Sequence, residues 1–267
     1  MTGIEQLATE ALPVVLEVRG LRTRWLHDVS FELHAGEVLG LTGLVGSGYE
    51  DAVYAIFGAI PAEAGTLVVD EEERPLAAMT PQAAMARRMA LVPGDRQSTG
   101  SIPTLPASDN INLLVLDAYF RAGRLRQHEL DGNAKALMDE FDVRPARPDL
   151  EYGSFSGGNQ QKAMMAKWKQ IDPRVMLLHE PTQGVDVGAR QQIWSMIRGS
   201  TGSTSTICAS SDYEQLAAIC DRVGVVARGR LVGFLTGSDL TKERIADFCL
   251  RSSAGTSVSV TPDGTGG

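Results

Sequence analysis

The most constraining stretch of this chain is Gly43-Leu44-Val45-Gly46-Ser47-Gly48-Tyr49-Glu50, a glycine-rich turn between an apolar run and a helical pattern. Residues 37–42 read as a buried strand entering the turn, and residues 49–57 as the helix leaving it. Glycines at such a junction let backbone N–H groups wrap a polyphosphate with no Cβ in the way, and the following helix offers its positive end. A full phosphate loop continues with Lys, which reaches the β and γ phosphates, and then Ser or Thr, which holds Mg²⁺. Here those positions are Tyr49 and Glu50. A missing cation and an added anion could each weaken triphosphate binding by up to about 4 kcal/mol at roughly 4 Å and an effective dielectric of about 20, less after screening. From the loop alone two readings stand level: a phosphate cradle without its cation, and a plain strand-to-helix connection.

The rest of the chain says which kind of fold holds this turn. With 267 residues, 43% of them hydrophobic, it can bury one substantial core and a smaller satellite. A formal net charge of -8 argues against a nucleic-acid partner or an anionic lipid surface. Cys208, Cys220 and Cys249 are too few and too scattered for a disulfide framework or a zinc site, and no metal site is expected. No apolar stretch is long enough to insert into a membrane, and residues 1–13 lack the order of a signal peptide.

Short apolar strands alternate with helical patterns, the mark of an α/β protein. Residues 14–18 and 28–33 read as strands of a β-rich N-terminal edge. Thr80 caps a helix with Pro81 at its first position, and a strand follows at 89–92. From 107 to 150 only helical spacing remains, with Leu130, Ala134, Leu137, Met138 and Phe141 on one face, which predicts an all-helical insert. Then come a helix from Gly158, a strand at 175–178, a helix at 188–198, strands near Thr206 and Val223, and a hairpin turn at Arg228-Gly229. The chain thus divides into an extension 1–13, a core of 14–106 and 151–251, the insert 107–150, and a Ser/Thr/Gly tail 252–267 expected to be disordered.

A second motif separates the two readings of the turn. Phe155-Ser156-Gly157-Gly158-Asn159-Gln160-Gln161-Lys162 opens a helix with a hydroxyl and free amides at its start and a polar face at Gln160, Gln161 and Lys162. The apolar strand 175–178 then leads into His179-Glu180-Pro181-Thr182-Gln183-Gly184-Val185-Asp186. Together with Val92-Pro93, Asp95-Arg96 and Gly184-Val185-Asp186-Val187-Gly188, these pieces resemble the ATP-binding cassette (ABC) ATPases. More narrowly, they look like the second cassette of the tandem ATPases of bacterial monosaccharide importers. The resemblance spans residues 14–250, and its ordered combination is highly specific.

The resemblance implies a P-loop fold with a RecA-like core, ATP and Mg²⁺ as ligands, and a nucleotide sandwiched between two cassettes. Gly43, Leu44, Val45, Gly46, Ser47, Gly48, Tyr49 and Glu50 would then form this chain's own loop. Ser156, Gly157, Gly158 and Gln160 would face a triphosphate held by a partner cassette. Glu180 falls where the family keeps the carboxylate that polarises water. His179 replaces the Asp that supports Mg²⁺, an ion that prefers oxygen ligands. Gly94 stands where a Gln or Glu is expected, and Ser211 replaces the switch histidine, although Ser211 with Glu214 also reads as a helix capping box. Trp25 is the one upstream aromatic that could stack on adenine, against its packing into the β-rich edge.

These departures predict weak or absent Mg-ATP binding at the chain's own site and leave open whether it hydrolyses ATP at all. The expected role is a sugar-importer cassette on the cytoplasmic face of the membrane, peripheral, bound to permease subunits through 107–150 and the loop 94–102, and lending its signature to a second cassette. An active homodimeric ATPase and a regulatory cassette outside transport are the alternatives.

Overall fold

The computed structural model describes residues 12–254. Its organising element is a six-stranded sheet. In chain order the strands are β1 Val14–Arg22, β2 His27–His34, β3 Val38–Gly43, β4 Ala64–Val69, β5 Glu72–Pro75, β6 Met89–Val92, β7 Phe120–Arg121, β8 Arg124–Leu125, β9 Val175–His179, β10 Ser205–Ala209, β11 Arg222–Ala227 and β12 Arg230–Thr236. The helices are α1 Asp51–Phe57, α2 Pro81–Ala86, α3 Ala107–Asn112, α4 Leu116–Tyr119, α5 Gln127–Glu140, α6 Gly157–Lys169, α7 Val187–Gly199, α8 Tyr213–Ile219 and α9 Lys242–Ala254.

The large sheet runs β12-β11-β3-β10-β9-β6, parallel except for β12, which turns back on β11 through the hairpin at Arg228-Gly229. All six positions of β3 are buried, as a strand covered on both faces requires. The carboxyl ends of β3, β6, β9 and β10 therefore open on the same edge, where open α/β sheets form their crevices. A four-stranded antiparallel sheet, β2-β1-β4-β5, makes the N-terminal edge, with Leu16 and Val18 of β1 and Val29, Phe31 and Leu33 of β2 facing the core.

Glu37 fastens the two sheets together. Its fully buried carboxylate accepts hydrogen bonds from Arg222 Nε of β11 at 2.5 Å and from the His34 backbone N–H of β2 at 2.7 Å. Arg222 reaches on to the Glu32 carbonyl.

Segment 107–150 is not all-helical: it holds helices α3, α4 and α5, the short β7–β8 hairpin, and irregular chain over 141–150. Leu130, Ala134, Leu137 and Met138 of α5 are buried as the spacing requires, and Phe141 packs just beyond the helix end. Buried Asn112 donates to the carbonyls of Ser108 and Leu130, and Asn133 links Asn112 to Gln170 at the end of α6, so polar bonds hold the insert to the core helix.

Thr80 caps α2 by accepting from the Ala83 N–H, with Pro81 at the first position. The β4–β5 hairpin has no counterpart in the sequence reading, because β5 is an acid-rich edge strand with no apolar alternation. Helix α9 takes in residues 252–254 of the expected tail. The rest of that tail, and residues 1–11 of the N-terminal extension, lie outside the described residues. Among the described residues no helix is long and apolar enough to cross a membrane.

Replacing Glu37 by Ala leaves the Arg222 guanidinium without its buried partner. The expected loss is about 3 kcal/mol of unfolding free energy, read as a lower urea midpoint.

Candidate functional site

The glycine-rich loop leaves β3 at Gly43 and enters α1 at Asp51, so Tyr49 and Glu50 precede the helix instead of beginning it. Gly48 has φ +87, and a Cβ there would stand 2.8 Å from Trp25 Cβ, so only glycine fits. Val45 is fully exposed at the loop tip. Ser47 Oγ and Glu50 Oε2 are buried with no hydrogen-bond partner. Trp25 is half exposed under the Arg24 guanidinium and is not packed into the β-rich edge.

The end of β9 brings Glu180 to this loop. Its backbone takes a left-handed φ of +45, uncommon for a side chain with a Cβ, while its N–H donates to the Ala209 carbonyl. The Glu180 carboxylate is held by three donors: the Ser211 N–H at 2.6 Å and the Tyr49 hydroxyl at 3.3 Å on Oε1, and the Ser210 hydroxyl at 2.8 Å on Oε2. Burial, helped by the Glu180 and Glu50 charges, pushes the Tyr49 phenol well above its ordinary range, so it stays a neutral donor. Ser211 is not the cap of α8; Asp212 is, accepting from the Gln215 N–H. The Ser211–Glu214 capping box fails because the Ser211 amide is turned toward Glu180.

Beside this cluster, the Tyr54 hydroxyl lies 2.9 Å from His179 Nδ1 and accepts the Gly94 N–H at 3.2 Å. A Cβ on Gly94 would collide with His179 Nδ1 at 2.7 Å. Burial lowers the His179 pKa, which keeps the imidazole neutral at pH 7. Tyr54 and Ser210 carry this network, and the sequence reading did not single them out. The available signal was position: Tyr54 lies about a turn and a half past Tyr49, and Ser210 adjoins the switch position.

The signature opens α6 on a different part of the surface; among the described residues no hydrogen bond joins it to the loop at 43–50. Ser156 is the exposed N-cap, its hydroxyl accepting from Asn159 Nδ2 at 2.9 Å. A Cβ on Gly157 would meet the Gly184 carbonyl at 2.4 Å, and one on Gly158 would meet Ala189 Cβ at 2.6 Å. Gln160 is buried, and its amide is spent inside the protein: Nε2 donates to the Phe155 carbonyl at 2.8 Å, while Oε1 accepts from Arg96 and Gln97. Gln161 and Lys162 are buried too, so the expected polar face is an interior one. Helix α6 is covered by the insert, α7 and β6, and it uses these polar groups to tie them together, as Lys162 does with the Asp142 carbonyl and Gln192. Asp186 caps α7 by accepting from the Ala189 N–H at 3.0 Å.

Among the described residues no group of three or more His, Cys, Asp or Glu side chains is arranged to hold a metal ion.

Comparison with known proteins fits this arrangement. The family model for the ABC transporter matches residues 26–183. A ribose import ATP-binding protein of Rubrobacter xylanophilus is 39% identical over 240 residues, covering 89% of this chain and 48% of the relative. A xylose import ATP-binding protein of Burkholderia ambifaria is 40% identical over 247 residues, covering 89% and 47%. The chain thus spans about half the length of the curated relatives it matches. Among solved structures, a nucleotide-free ATP-binding cassette from an ABC transporter superimposes with a TM-score of 0.74 at 15% identity, covering 88% of this chain and 96% of that one. A dimeric post-hydrolysis cassette bound to ADP and Pi gives 0.67 at 18% identity, covering 83% and 98%. With the sheet order, the glycine-rich loop at the end of β3 and the signature at the start of α6 all in place, the chain belongs to the ABC transporter family as one of its ATP-binding cassettes.

Proposed function

We propose that this chain is the nucleotide-binding part of a monosaccharide importer in which it lends its signature to a triphosphate held by a second cassette and binds Mg-ATP weakly or not at all at its own loop. The observation that carries the reading is the state of Glu180, whose carboxylate already accepts from Tyr49, Ser210 and Ser211.

Magnesium-triphosphate does not suit the donor set of the chain's own loop. The Lys position holds a neutral tyrosine turned toward Glu180, and the hydroxyl position holds Glu50, whose buried Oε2 has no donor or cation beside it. A carboxylate there repels phosphate oxygens, and its Oε2 receives no hydrogen bond from the loop. The neutral His179, bonded to Tyr54, offers no hard oxygen ligand. No hydrolytic step is therefore assigned to this site, and Glu180 serves as a structural acceptor. Ser156 and the half-buried Gly157, by contrast, remain at a helix start where a partner's phosphate could meet them, with Gly158 buried just behind. The buried Gln160 supports that edge from behind.

The sugar-import reading comes from the ribose and xylose import relatives. It places the chain at the cytoplasmic face, peripheral, with the insert 107–150 and the loop 94–102 toward permease subunits and residues 184–186 at the seam with the second cassette. A catalytic homodimer would instead need the chain alone to turn over Mg-ATP at rates of order 1 per second. A cassette with a purely regulatory role would not come down with a permease from detergent-solubilised membranes.

In the assembled transporter, Ser156→Arg is expected to abolish ATPase activity. Tyr49→Phe keeps the packed ring and is expected to leave activity within about twofold, since less than one hydrogen bond's net worth is at stake. Equal tolerance of both changes overturns the proposal. In the isolated chain, the double change Tyr49→Lys with Glu50→Ser restores cation and hydroxyl, and Mg-ATP affinity by calorimetry is expected to rise more than about tenfold.

A further inference from the structure

Arg96 is the point at which three segments around the signature meet. It begins the π turn Arg96–Gly100 that follows β6, on the loop 94–102. Its Nη1 donates to the Gln183 carbonyl at 2.7 Å, on the turn leading to Gly184. Its Nε donates to Gln160 Oε1 at 3.3 Å, on the first turn of α6. Its Nη2 lies 2.6 Å from where a Cβ on Gly157 would stand and 3.5 Å from the same point on Gly184. A side chain at Gly157 would therefore displace both the guanidinium and the Gly184 carbonyl behind it.

Two features mark this as more than a surface arginine. Both acceptors are neutral, and the positive end of α6 offers a cation no dipole stabilisation, so the planar fork holds the side chain in place. The fork is also the direct hydrogen-bonded link between the loop after β6 and the turn at Gln183. Gln160, the other end of the tie, has its remaining amide protons on the Phe155 and Gly153 carbonyls, so it cannot follow Arg96 without moving the segment that carries Ser156.

We propose that Arg96 is a positioning residue whose guanidinium fork locks the first turn of α6 to the Gln183–Gly184 turn, so that the loop 94–102, the Ser156–Gly158 edge and the seam at 184–186 move as one body. Displacing the loop then shifts both faces that a partner cassette would meet. The functional consequence rests on the reading that this chain lends its signature to a partner; the mechanical tie does not.

Hydrogen exchange on the isolated full chain tests the tie. In Arg96→Ala the amides of Gln160, Gln183 and Val185 should exchange together about tenfold faster, the scale of one lost charge-assisted hydrogen bond, with Cys208 in β10 unchanged. Arg96→Lys keeps the charge and loses the fork, and should behave like the alanine variant. The proposal is overturned if those three amides keep their wild-type rates, if they respond independently, or if lysine restores them. Steady-state kinetics of the assembled transporter test the consequence. Arg96→Ala should raise KM for ATP by a similar factor, because a loosened signature lowers the fraction of closed, binding-competent pairs, whereas mere loss of folded protein would lower kcat alone. If Ser156→Arg leaves ATPase intact, the signature reading fails, and the exchange data still decide whether Arg96 ties the three segments. If Ser156→Arg abolishes activity and Arg96→Ala leaves KM unchanged, the consequence assigned to Arg96 is wrong.

Discussion

The burial of β3 on both faces governs the rest of this structure. A strand with no exposed position, hydrogen-bonded in parallel to β10 on one side and β11 on the other, can send its chain out only at the carboxyl edge of the sheet. The neighbouring parallel strands do the same, which is why residues as distant in sequence as Tyr49, Gly94, Glu180 and Ser210 share one small volume. Their proximity is a property of topology, and their chemistry is a property of the side chains that topology delivers.

Glu180 finds three neutral donors, and the phenol supplied by Tyr49 stands on the position where the resemblance calls for a lysine. Burial keeps both the phenol and the His179 imidazole neutral, so the cluster works as a hydrogen-bonded strut between β3, β9 and β10. Glu50 is the exception. A buried acceptor with no donor is an uncommon and costly feature, and among the described residues it shares that state in the loop with the Ser47 hydroxyl.

The signature is organised differently. Its exposed edge is made of small residues and a hydroxyl, and its support lies underneath, in the amide of Gln160 and the fork of Arg96. The exposed edge and the buried support sit on one helix that also anchors the insert through Gln170 and Asn133. Local changes in any of these segments are therefore felt by the others through α6.

Much of this architecture was legible in residue patterns. The strands at 14–18, 28–33, 89–92 and 175–178 showed as apolar runs or alternations, and the face of α5 showed as a helical stripe. The acidic β5 strand gave no such signal because its backbone pairs while its side chains stay in solvent. Ser211 carried a capping signal, and the structure puts the cap on Asp212 because the Ser211 amide has a stronger acceptor in Glu180. Gln160, Gln161 and Lys162 read as a polar face, with Gln160 turned to a partner's triphosphate, because their polarity is visible in sequence and their covering by α7, β6 and the insert is not. What the sequence alone determined was the cassette family and a glycine-rich loop with Tyr49 and Glu50 where the resemblance calls for Lys and then Ser or Thr. What only the tertiary structure decided was who satisfies whom. Hydrogen-bond partners such as Tyr49 with Glu180 and Arg96 with Gln183 are separated by well over a hundred, or nearly a hundred, residues, and local periodicity carries no information across such a distance.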